Sequence, residues 1–356
     1  MKKNGIKKAL AFTMALTLLT GASSLPANTV FTESTITVSA ASTTTTKLFN
    51  GFNYIVKKDS TIEIQKYIGT KSTVIVPSEI YGKKVTSLGS NSFNSNKKIK
   101  NVTIPGTVTE IKTNAFAYSG VQTVKIEKGL KTIGDSAFNL CRSLKTINIP
   151  SGVTTIGKYA FYCNGNLEKI SIPDTVTKIG DAAFYNCSSL KEVKLSRKCT
   201  TIPSGAFELF GVSGTSTLKT ITIPECVTTI SSYAFKGRYF KSVEIPKSVK
   251  TIGYKAFGYN WDNSVFNNYR IYGYNEIAEE YAYSTGLLYS NKTKGDVNGD
   301  GMVNVTDIAM VAAHIKGIKA LTPEQQKRAD VNNDGMIDVS DIGGTSAHIK
   351  GIKAIE

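Results

Sequence analysis

Eight phenylalanines, Phe93, Phe116, Phe138, Phe161, Phe184, Phe207, Phe235 and Phe257, stand 23, 22, 23, 23, 23, 28 and 22 residues apart. A period this short constrains the fold strongly, because one such unit cannot bury its own apolar side chains and must stack on its neighbours. Aligned on the phenylalanine, VTEIKTNAFAYSGVQTVKIE, LKTIGDSAFNLCRSLKTINIP, VTTIGKYAFYCNGNLEKISIP and VTKIGDAAFYNCSSLKEVKLS share one pattern. Each unit holds a strand-like L-K-x-I-x-I-P, a turn, a short V-T-x-I-G and a compact x-A-F turn. Alternation of Ile and Val with Thr and Lys is the period-two pattern of a strand with one wet face. The interval of 28 is a five-residue insertion around LFGVSGTST. The expectation is a mainly β solenoid, a rod of parallel strands with the apolar positions in register inside.

These units resemble the BspA-type leucine-rich repeats of secreted bacterial proteins, over residues 49–289. The resemblance implies that GFNYIVKKDSTIEIQKYIG and RIYGYNEIAEEYAYSTGL cap the two ends, and that the body serves adhesion or protein contact. Two polar columns should flank the buried strand positions: Thr103, Lys125, Asn148, Ser171, Lys194, Thr222 and Glu244, beside Asn101, Thr123, Thr146, Lys169, Glu192, Thr220 and Ser242. Neither holds an aromatic ring, so this face offers no stacking platform for sugars. Aromatic residues instead gather near the last repeat, where Trp261, Tyr259 and Tyr239 are candidates for carbohydrate binding if exposed, or parts of a cap if buried.

The five cysteines, Cys141, Cys163, Cys187, Cys199 and Cys226, are odd in number. Cys141 and Cys187 fall three residues after their phenylalanines, which suits small buried free thiols better than a disulfide framework. The only two histidines lie in the C-terminal tail, so no Ser-His-Asp or Cys-His arrangement fits in the repeats. Glu110, Asp135, Glu168, Asp181 and Glu192 could in principle supply the paired carboxylates of a glycosidase. Asp135 and Asp181, however, recur at one turn, which points to a local structural role. No enzyme is expected.

Residues 1–40 read as a secretory signal: Lys2, Lys3, Lys7 and Lys8 precede an apolar run too short to span a bilayer. A Thr/Ser-rich leader follows at 41–48. The protein is expected to be extracellular, without a membrane span. Residues 41–294 carry 33 basic against 17 acidic side chains, whereas 295–356 carry six against nine. A basic body thus bears an acidic tail beyond a short linker at 290–294. The scattered lysines suggest weak polyanion affinity and no specific nucleic-acid site.

The tail contains DVNGDGMVNVTD and, 34 residues later, DVNNDGMIDVSD. In the first, Asp296, Asn298, Asp300, Asn304 and Asp307 put oxygens at loop positions 1, 3, 5, 9 and 12. Gly301 stands at the sharp turn and the Met302 carbonyl at position 7. The second copy offers Asp330, Asn332, Asp334, the Met336 carbonyl, Asp338 and Asp341 around Gly335. Hard oxygen ligands at these intervals describe two calcium loops of EF-hand type, although both end in Asp where a bidentate Glu is usual. After the first loop, Ile308, Val311, Ala312 and Ile315 form one apolar helix face. Both helices end in AHIKGIKA.

Loop followed by helix, twice within 295–356, resembles the dockerin module of cellulosomal proteins. That resemblance implies a small all-α domain with two loop-helix motifs, two calcium ions and calcium-dependent binding to a cohesin of a scaffoldin. The cohesin contacts it implies are Val305, Thr306, Ala309, Ala313, His314 and Lys316, with Val339, Ser340, Gly343, Ala347, His348 and Lys350 as the matching second face. Gly343 and Gly344 should make the second helix the less rigid one. The reading is a non-catalytic secreted component of a cellulosome-type complex, whose solenoid binds a protein, a cell surface or matrix. The alternative is a carbohydrate-binding accessory or a glycoside hydrolase in polysaccharide catabolism.

Overall fold

The computed structural model describes residues 45–211, 216–300, 302–351 and 355. The expected signal segment, most of the expected leader, part of the insertion and Gly301 lie outside them. Each repeat contributes two short strands to two sets of parallel ladders, except the repeat with the insertion, whose residues 218–224 form no strand. Thr73–Ile75, Asn101–Ile104, Thr123–Ile126 and Thr146–Ile147 form one four-stranded sheet, and Lys169–Ser171 pairs with Glu192–Lys194. The V-T-x-I segments form the other set, from Lys83–Leu88 through Lys178–Ile179. Asn101 faces Thr123 and Thr123 faces Thr146, so this polar column runs in register, while Val102, Val124 and Ile147 turn into the core.

The phenylalanines form the spine of that core. From Phe93 to Phe257 the eight rings stack in an unbroken ladder, centroids 4.6–5.4 Å apart and planes within 11°. Stacked pairs contribute about 0.5–1.5 kcal/mol each beyond their burial. The residue two places before each ring, Asn91, Asn114, Ser136, Tyr159, Ala182, Gly205, Tyr233 and Lys255, has φ between 51° and 61°. This left-handed step turns the chain inward, and only Gly205 adopts it without steric strain.

Three residues past the ring, a donor meets the carbonyl of the preceding phenylalanine. Cys141 Sγ donates to Phe116 O at 2.9 Å, Asn164 Nδ2 to Phe138 O at 2.9 Å and Cys187 Sγ to Phe161 O at 3.1 Å. The column therefore selects for a buried donor as well as for small size. In the insertion repeat this place is held by Phe210, which is 52% exposed. In the next repeat Arg238 fills the same column: Nε donates to Phe207 O at 2.8 Å, the column's usual bond, and Nη2 reaches on to Cys187 O at 2.9 Å. All five cysteines are free; Cys163 and Cys226 are half-buried and the others buried.

At the entry end, Lys47–Phe49, Phe52–Val56 and Ile62–Tyr67 form an antiparallel sheet, beginning inside the expected leader. Tyr67 stacks on Phe93 at 5.5 Å. At the other end the strand Arg270–Gly273, helix α1 (Glu276–Thr285) and the strand Leu288–Asn291 close the stack, with Tyr281 Oη donating to Phe257 O at 2.8 Å. The last strand thus occupies part of the expected linker, leaving a short turn in which Asn291 Oδ1 accepts from Thr293 N.

Three helices follow, α2 (Val305–Ile315), α3 (Pro323–Ala329) and α4 (Val339–Ile349), with α2 packed on α4. Their core is Val297, Val311, Leu321 and Ala329, with Met310, Ile337 and Ile342 against it. Two expectations need correction. Ile315 is 37% exposed, because it ends α2 and its turn overhangs the core, and Met310 packs there instead. Helix α3 adds a third helix where two loop-helix units were expected. Its start is nonetheless written locally: Thr322 and Gln325 form a capping box around Pro323 at the first turn.

Candidate metal-loop and docking site

Each acidic loop is built from Asx turns. In the first, Asp296 Oδ1 accepts from Gly299 N, Asn298 Oδ1 from Asp300 N and Asp300 Oδ1 from Met302 N, each at 2.8 Å. The loop is drawn shut by Asp307, fully buried, whose Oδ1 accepts from Asn298 N at 3.1 Å and Oδ2 from Asn304 N at 2.9 Å. Asn304 is both position 9 of the loop and the N-cap of α2, and Asp307 is both position 12 and the third helical residue. The shorter Asp at position 12 thereby completes a capping box. Gly299 takes φ 81° against Arg328, where a Cβ would lie 2.6 Å from Nη1.

The second loop repeats this plan with small differences. Asp330 accepts from Asp334 N and Gly335 N, Asn332 Oδ1 from Asp334 N and Asp334 Oδ1 from Met336 N. Buried Asp341 accepts from Val331 N at 2.8 Å and from Asp338 N at 3.0 Å, while Asp338 caps α4. The Ser340 hydroxyl and N–H hold the Asp338 carboxyl below its ordinary range. Gly295 N donates to Arg328 O at 2.7 Å, and the Lys294 ammonium reaches Asp330 O, so the start of one loop is tied to the approach of the other.

The candidate donors are hard oxygens, the kind calcium takes: Asp and Asn side chains with the Met302 and Met336 carbonyls. Among the described residues no three His, Cys, Asp or Glu side chains form a metal cluster by themselves, and the implied ligand set also draws on amide and carbonyl oxygens.

The two proposed contact faces lie outward, with differences along their length. Val305, Thr306, Ala309 and Lys316 are exposed on α2 and its C-cap, as are Val339, Ser340, Gly343, His348 and Lys350 for α4; Ala313 and Ala347 are half-buried. Half-buried His314 accepts from Leu321 N through Nδ1 at 3.2 Å, and this ties the end of α2 to the turn before α3. His348 instead borders a groove of about 340 Å³ beside Tyr272, in the strand Arg270–Gly273, and Tyr274 and Lys292, each just beyond the end of one of the last two strands.

Trp261, Tyr259 and Tyr239 are half-buried. Trp261 meets Phe210 edge-on at 5.7 Å, Tyr239 meets Phe266 edge-on at 5.1 Å, and Lys255 lies over Tyr259. The candidate carboxylates of the body are held locally. Asp135 Oδ1 accepts from Lys158 N at 2.8 Å, and Asp181, Glu168 and Glu192 pair with Lys158, Lys191 and Lys169 of adjoining repeats. Glu110 is half-buried at the start of its strand.

Comparison with known proteins gives two family matches. The BspA type leucine rich repeat region matches in six copies over residues 28–138, 109–213 and 212–294, and the dockerin type I domain matches residues 294–343. Both are non-catalytic types. No protein of curated function matches the chain. Among solved structures, a leucine-rich repeat protein from Bacteroides ovatus is 25% identical with a TM-score of 0.51, covering 69% of this chain and 67% of that one. The T. pallidum leucine-rich repeat protein is 22% identical with a TM-score of 0.49, over 68% of this chain and 97% of the other.

Proposed function

Because the chain belongs to the BspA-type leucine-rich repeat family and ends in a type I dockerin domain, we propose that it is a secreted, non-catalytic component of a cellulosome-type complex, docked to a scaffoldin cohesin through its tail. Dockerin type I domains bind calcium. Here two ions would be held by Asp296, Asn298, Asp300, Met302 O, Asn304 and Asp307, and by Asp330, Asn332, Asp334, Met336 O, Asp338 and Asp341. The ions would neutralise the clustered acidic oxygens and lock each loop onto its helix. The observation that carries this reading is the duplication itself: two loops closed by a buried Asp on its own helix cap, each leading into an outward face of similar residues.

Cohesin would meet Val305, Thr306, Ala309, Ala313, His314 and Lys316, or their counterparts Val339, Ser340, Gly343, Ala347, His348 and Lys350. The solenoid is then cargo that binds a protein, a cell surface or matrix. Extracellular placement follows from both families, and among the described residues no helix is long and apolar enough to cross a membrane. Calorimetry of the full chain against a cohesin panel, with calcium and with chelator, tests the reading. Calcium-dependent binding supports it, and absence of binding to every cohesin overturns it. The edge-on, half-buried rings around Trp261 favour a cap over an open sugar platform.

A further inference from the structure

The repeat that carries Phe116 is one residue short in one place. From the ladder phenylalanine to the next strand the chain runs eight residues from Phe93 to Asn101, seven from Phe116 to Thr123 and eight from Phe138 to Thr146, yet the three strands stay in register. At the fourth position after the ring the outer two repeats have Lys97 and Arg142, and the short one has Gly120. Gly120 N donates to Asn96 O at 2.9 Å, and an added Cβ would fall 2.4 Å from Lys97 O. The short segment is therefore held down between two taller neighbours.

A cavity of about 330 Å³ opens at this notch, lined by Lys97, Lys100, Tyr118, Arg142 and Ser143 among others, with no acidic side chain. None of the three cations pairs with a carboxylate among the described residues. Lys97 is fixed over the notch by donating from Nζ to Tyr118 O. Lys97 and Arg142 stand two strand spacings apart, about 10 Å along the stack. Tyr118 is 46% exposed and has left-handed φ 58°.

We propose that the notch binds a uronic acid residue of an extracellular acidic polysaccharide. The fork of Arg142 and the Lys100 ammonium take the carboxylate. The Tyr118 ring offers the sugar an apolar face with a polar tip, and the Ser143 hydroxyl meets a ring hydroxyl. The volume falls in the range of small-ligand sites, and the net charge of +16 draws a polyanion to the surface. Phosphate alone would satisfy the cations and leave the tyrosine unused. This names a ligand class for the binding role proposed for the solenoid, and it stands apart from docking because the test contains no cohesin.

The test is titration of the full chain with trigalacturonate, with neutral galactotriose, with inorganic phosphate and with a single-stranded oligonucleotide. The expected result is saturable trigalacturonate binding that weakens with salt, little or no response to the other three, and at least about tenfold weaker binding in Arg142→Gln and in Lys100→Gln. Tyr118→Ala should also weaken it, with thermal unfolding unchanged in both Gln variants. Neutral sugar, phosphate or oligonucleotide binding as tightly as trigalacturonate would overturn the proposal. So would Gln variants that bind like the parent.

Discussion

Asp307 Oδ2 accepts the N–H of Asn304 at 2.9 Å, so the residue that ends the first acidic loop also caps the helix that follows it. One buried carboxylate thus serves the loop and the helix together. Asp307→Ala should lower the stability of α2 by about 1–3 kcal/mol even in chelator, since it removes a cap and strands buried N–H groups. Hydrogen exchange of the α2 amides without calcium measures this. Unchanged exchange would mean that the carboxylate serves only an ion.

The paired glycines of α4 are not equivalent. A Cβ on Gly343 meets nothing within 4 Å, whereas one on Gly344 would fall 2.7 Å from Val331 Cγ2. Gly343→Ala should stabilise the tail by about 0.8–1 kcal/mol through helix propensity alone. Gly344→Ala should gain less or destabilise, because Val331 must move. Thermal unfolding of the two variants side by side separates the cases.

Arg238→Met is expected to destabilise the solenoid. It leaves the Phe207 carbonyl without its side-chain donor and takes from Cys187 O one of two donors, Leu190 N remaining at 3.3 Å, and this loss outweighs the relief of removing a buried cation whose pKa burial depresses to about 10. A net loss of about 2–4 kcal/mol in denaturant unfolding is expected. A raised midpoint would show that burial of the charge dominates.

Burial pushes the Cys141 thiol up to about 11 and the Cys187 thiol up to about 12. Near neutral pH an alkylating reagent should therefore label half-buried Cys163 and Cys226 first, and Cys141 and Cys187 only on unfolding. The folded chain holds these thiol protons more tightly than the unfolded one. Their contribution to stability is complete below about 9 and is lost as pH rises through about 11 for Cys141 and about 12 for Cys187. Mass spectrometry after timed alkylation, with unfolding followed from neutral to alkaline pH, checks both statements.

The recurrent phenylalanine made the stacked parallel strands legible before any coordinates, because spacing alone sets which residues can lie in register. The acidic loops were legible for a similar reason: ligand spacing within twelve residues is local. What escaped was set by neighbours in space. Nothing in the spacing of the phenylalanines says that Arg238, three residues past its own ring, reaches two repeats back to Cys187 O. The exposure of Ile315 follows from where α2 ends over its core, which periodicity does not report. The short interval from Phe116 to Phe138 was visible, but its meaning needed Lys97 and Arg142 on either side. Helix α3 could have been found from Thr322, Pro323 and Gln325.

The unbroken ring ladder gives the molecule a mechanical character. Each repeat is bonded chiefly to the one before and the one after. A pull applied at the tail reaches the strand Leu288–Asn291 first, and that strand is bonded to Arg270–Gly273. Failure then peels inward, one Phe–Phe contact at a time, beginning with Phe257 on Phe235. Extension is taken up in small steps, and the repeats nearest the entry end are the last to feel the load.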